Sequence, residues 1–99
     1  MSIDVEIQDE SGVALSRYDG PPLGLQFLKL APPKSACFRF IVPWADATFN
    51  EDQVKELRAE LQEATTRTSH VLRLRELRAL SKFLEGASGT HVYVKFIGD

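Results

Sequence analysis

Between Asn50 and Ala87 the chain contains no proline, and the first glycine in that stretch is Gly86. A segment so free of helix breakers, with apolar residues recurring at spacings of three and four, has to be largely helical. As one helix over 51–87 it would run to about 55 Å at 1.5 Å per residue, longer than a domain of this size is wide. It must therefore fold back on itself. Thr65-Thr66-Arg67-Thr68-Ser69 concentrates poor helix formers and places the break there, so the segment reads as a helical pair.

Each half carries its own apolar side. Val54, Leu57, Leu61 and Ala64 give the first helix a narrow stripe. Leu72, Leu77, Leu80, Phe83, Leu84 and Ala87 give the second a wider face, closed by Gly86 or Gly89. Thr48-Phe49-Asn50-Glu51 matches a capping box with Thr48 as the cap, and Asn50 is a rival cap two residues later. Glu51 and Asp52 set negative charge in the first turn, where the helix dipole favours it.

The flanks read as strands. Ile3, Val5 and Ile7 alternate with Asp4, Glu6 and Gln8, a period of two that buries one face. Asp9-Glu10-Ser11-Gly12 supplies a turn, and Val13 to Tyr18 alternates weakly, so 3–18 predicts a β-hairpin. Asp19-Gly20-Pro21-Pro22 and Ala31-Pro32-Pro33 break the chain, and 23–30 between them suits one or two helical turns. Cys37 to Val42, rich in aromatic and β-branched residues and stopped by Pro43, reads as a third strand, and His91 to Ile97 as a fourth. The predicted fold is α+β: one domain over 1–99, with a four-stranded, mainly antiparallel sheet in chain order β-β-β-α-α-β. The helical pair covers one face, and at least one strand edge is exposed.

Composition narrows the function classes. Hydrophobic residues make up 43% and charged residues 26%, a globular balance that excludes disorder. The net charge of −2 is too small for a protein that grips nucleic acid through excess basic charge, or for an acidic mimic of nucleic acid. A single cysteine, Cys37, excludes an internal disulfide. The opening Met-Ser-Ile-Asp-Val-Glu-Ile has neither a basic region nor an apolar run of signal-peptide length, and no stretch approaches a membrane span. A cytoplasmic soluble protein is the expectation, without a membrane partner.

No catalytic or cofactor motif is present. Cys37 heads an apolar strand with no glycine-rich turn or helix start beside it, and so reads as a small buried residue rather than a nucleophile using His70 or His91. Two histidines and one cysteine without close ligand spacing make no metal set. Asp4 and Glu6 belong to the wet face of their strand. Val92-Tyr93-Val94 and Phe38-Arg39-Phe40 superficially resemble the aromatic signature strands of RNA-recognition motifs. The glycine–aromatic alternation is missing, however, Phe96 stands where that family has a polar residue, and the strand comes last rather than first. Nucleic acid is not an expected partner.

The second helix carries the most suggestive charges. On a helical wheel Arg75, Arg78 and Lys82 form one outward stripe, which either grips an acidic partner or is neutralised by Glu56, Glu60 and Glu63 of the first helix. Arg73 and Glu76 fall among the apolar positions, three residues apart and therefore adjacent, as an ion pair at a pocket, an interface or the margin of the core. Trp44 follows Pro43 in a short connection, where it plugs the end of the core or anchors an interface. The partner-binding candidates are thus Arg73, Arg75, Glu76, Arg78, Lys82 and Trp44. The expected function is non-enzymatic protein binding, as an immunity-type inhibitor or small adaptor acting on a toxin or enzyme. The alternatives are a ligand binder or small enzyme with a cleft between sheet and helices, and a homodimer joined at strand edges.

Overall fold

Alternation at the two ends of the chain builds the centre of the sheet. The computed structural model describes residues 3–87 and 89–98. In it β1 (Asp4–Gln8) and β4 (Tyr93–Ile97) lie side by side and antiparallel, with Val5 opposite Phe96 and Ile7 opposite Val94. These four side chains are buried, while Asp4, Glu6, Tyr93 and Lys95 point the other way, as a period of two requires. β2 (Ala14–Arg17) flanks β1 and β3 (Ala47–Phe49) flanks β4, giving an all-antiparallel sheet in the order β2-β1-β4-β3.

The 3–18 hairpin forms as its sequence predicts. Asp9 Oδ1 accepts from the Ser11 and Val13 N–H groups at 2.8 and 3.0 Å, and Gly12 takes the positive φ of 83° that the turn needs. Residues 23–30 contain one helical turn, α1 (Leu25–Leu28), which seats Phe27 in the core.

The helical pair also forms. α2 (Glu51–Arg67) and α3 (Val71–Leu84) are joined by Thr68–His70, and the longest dimension of the molecule is 38 Å, too short for the two as one rod. Thr65 and Thr66 stay helical, their hydroxyls donating to the Gln62 and Glu63 carbonyls at 2.6 and 2.7 Å, so the break falls at Thr68. Leu57 and Leu61 from α2 and Leu77, Leu80 and Leu84 from α3 are fully buried, and with Phe27, Phe38 and Phe96 they fill the layer between helices and sheet.

Four expectations are corrected. Residues 37–42 are not a strand: Phe38–Phe40 is a 3₁₀ turn, and the third strand is Ala47–Phe49. The turn wins because the Glu60 carboxylate gathers the backbone N–H groups of Ala36, Cys37 and Phe38 to one point, which an extended chain cannot present. Phe38 is thereby driven inward against Phe27, ring centroids 5.4 Å apart. The helix cap is Asn50 rather than Thr48, which pairs with Lys95 inside β3. The capping box is reciprocal, Asn50 Oδ1 accepting from the Gln53 N–H and Gln53 Oε1 from the Asn50 N–H, each at 2.9 Å. Leu72, in the first turn of α3, is 53% exposed. Trp44, which its strand-end position favours as a core plug, is 73% exposed.

Candidate functional site

The sheet covers one side of the helical pair, leaving the other side to form a groove between α2 and α3. Spacings of three and four along each helix decide what lines it. Lys55 and Arg58 project from α2, Arg78 and Lys82 from α3, and Glu85 is the only carboxylate among the described lining residues. Between the charged side chains lie the small residues Ala59 and Ser81. The groove is open and holds about 680 Å³.

The expected neutralisation by the acidic residues of α2 does not occur, because α2 is divided lengthwise by charge. Glu60 turns inward to the 36–38 backbone. Glu56 and Glu63 flank a separate depression beside Pro32 and Pro33, and Glu63 is bound to Arg67 at 2.6 Å. Among the described residues no carboxylate lies within 4.0 Å of Lys55, Arg58, Arg78 or Lys82 in an ion pair. Like charges at helical spacing, Lys55 with Arg58 and Arg78 with Lys82, cost about 0.2–0.5 kcal/mol per pair. These like-charge pairs are themselves a small cost to stability, not a source of it.

The remaining residues singled out from the sequence do not converge with these. Arg75 is exposed but lies outside the groove lining. Arg73 and Glu76 form the expected adjacent pair, Nε to Oε1 at 2.7 Å, with the better-aimed hydrogen bond running from Nη2 to Oε2 at 3.2 Å. They sit against α1, in a shallow hollow with Pro22, Leu25 and Gln26. Nearby, the Tyr18 hydroxyl donates to the Pro21 carbonyl at 2.7 Å, and burial, then the Glu76 and Asp19 charges, push its pKa up to about 12. Trp44 belongs to the turn before β3 and lines neither hollow.

Cys37 is buried, its thiol donating to the Gln53 carbonyl at 3.4 Å. Burial, and the Glu60 and Glu56 charges, push its pKa up, the opposite of what an activated nucleophile needs. His70 is exposed at the start of α3, and His91, at a φ of 63°, lies 3.4 Å from Glu10. Among the described residues no group of three or more His, Cys, Asp or Glu is placed to hold a metal ion, and no helix is long and apolar enough to cross a membrane.

Lys55 and Arg58 are the cations of the groove that sequence reasoning missed. Their spacing with Gln62 was visible, but which side of α2 faces α3 depends on how the pair rotates onto the sheet. No known protein-family model, curated protein or solved structure matches this chain.

Proposed function

We propose that this chain is a non-enzymatic binding protein that holds a partner protein through the outer side of its helical pair. One observation carries the reading: four cations without ion-pair partners among the described residues share one groove, in a chain whose net charge is −2. Unpaired like charges gathered on a surface raise the rate and specificity of association with a complementary partner. The filled layer between sheet and helices supports surface action over a ligand cleft there, since Phe27, Phe38, Leu57 and Leu80 occupy that space. An immunity-type inhibitor or small adaptor, acting in the cytoplasm on a toxin or enzyme, is the class that its size suits.

The test is affinity purification of the tagged full chain from its native host, beside an Arg78→Glu, Lys82→Glu variant. The expected result is a stoichiometric partner protein that is lost with the variant while the far-ultraviolet circular dichroism is unchanged. Recovery of free chain with only a small molecule bound, or a partner indifferent to both reversals, would overturn the proposal.

A further inference from the structure

We infer that the groove between α2 and α3 receives an acidic α-helix of the partner, which packs as a third helix against the pair. The inference rests on the binding-protein reading above and names the chemistry of the occupant. Charge gives the sign: among the described residues that line the groove, Lys55, Arg58, Arg78 and Lys82 stand against the single carboxylate of Glu85.

Geometry gives the shape. On α2 the lining runs from Lys55 to Thr65, about 15 Å of helix or nearly three turns. The cations stand at separations of three on α2 and four on α3, the repeat at which a facing helix presents its own side chains. Ala59 and Ser81, small residues between the long ones, leave depth for a ridge to enter.

Two other anions fit less well. A lone phosphate is best held by backbone N–H groups at a helix start, but 55–65 and 78–84 lie inside helices whose N–H groups are already bonded. A nucleic-acid duplex brings one charge per about 1.7 Å, so the same 15 Å would set about nine phosphates against four cations. Glu56 and Glu63 on the other flank of α2 would repel the rest of it, and the described residues of the groove include no aromatic side chain on which a base can stack.

The experiment uses the ¹⁵N-labelled full chain and an alanine-based helical peptide of about 15 residues with glutamates three and four apart. A lysine version of the peptide and a short DNA duplex serve as rivals. The acidic peptide should shift the amide resonances of Arg58, Ala59, Arg78, Ser81 and Lys82, and the lysine peptide should not. Arg58→Glu with Arg78→Glu should weaken binding about tenfold or more. Lys55→Gln with Lys82→Gln should give a smaller loss, keeping the test intact if the reversals perturb the fold. Unmoved groove resonances, affinity that survives the reversals, or displacement of the peptide by DNA would overturn the inference. A co-purified partner that is lost on Arg78→Glu, Lys82→Glu while the acidic peptide leaves the groove unmoved would overturn the helix and keep the binding reading. Absence of any partner would overturn that reading itself.

Discussion

Glu60 and Phe38, 22 residues apart in the chain, are joined by a 2.9 Å hydrogen bond from the Phe38 N–H to Glu60 Oε1. The same carboxylate accepts from Ala36 and Cys37, so one side chain of α2 fixes the turn that delivers Phe38 to the core.

Glu60→Ala should therefore be among the most damaging substitutions in this chain. It leaves the buried Cys37 and Phe38 N–H groups without their acceptor, at about 1–3 kcal/mol each. Glu60→Gln keeps one acceptor oxygen and should cost roughly half as much. Urea denaturation of the three proteins checks the ranking; equal midpoints for Glu60→Ala and the parent would show that the turn stands without this carboxylate.

The two rival caps separate cleanly by mutation. Asn50→Ala should lower stability by about 1 kcal/mol, because the Gln53 N–H loses its acceptor. Thr48→Ala, at an exposed position of β3, should stay within about 0.5 kcal/mol. Thermal unfolding decides it, and the reverse order would return the cap to Thr48.

Arg73 and Glu76 should behave as a unit. Their side chains are 18% and 11% exposed, so removing either alone strands a largely buried charge at a cost approaching about 3 kcal/mol. Replacing both, as Arg73→Met with Glu76→Leu, should cost far less than the two single losses combined. Additive losses in a double-mutant cycle would mean that the pair is uncoupled.

The Tyr18 phenol makes stability depend on alkaline pH. Its folded pKa of about 12 lies above its ordinary 10.0, so the unfolded chain releases that proton first. Its contribution is whole below pH 10 and is lost as the pH rises from 10 to 12. Tyr18→Phe should remove this part of the alkaline slope, with only a constant offset of about 1 kcal/mol below pH 10 from the lost bond to Pro21. Parallel stability curves for the two proteins across pH 10–12 would rule the linkage out.

What could be read from the sequence was what depends on near neighbours. The alternation of Val5, Ile7, Val94 and Phe96, the turn at Asp9–Gly12 and a break within 65–69 are local signals, and each appears in the fold, the break at Thr68. The Arg73–Glu76 contact follows from helical spacing alone. Residues 37–42 were misread because strand propensity is overruled by hydrogen bonds from 22 to 24 residues away. Half of the groove was legible, through Arg78 and Lys82. Its α2 half, and the turning away of Glu56, Glu60 and Glu63, depend on the roll of one helix against the other, which a wheel drawn for a single helix does not contain.

The adjacency of β1 and β4 sets an order of events in time. β1 leaves the ribosome well before its inner neighbour, residues 93–97, so the middle of the sheet stays open while all of the chain between them is made. Until then Val5 and Ile7 have only the β2 hairpin for company, whereas α2 and α3 are contiguous in the chain and can pair as soon as they emerge. A chain ending at Thr90 should consequently be cut rapidly by protease throughout 3–50, and resistance there would show that the sheet consolidates without its last strand. For the nascent protein, the helical pair is the early partner and the sheet the late one.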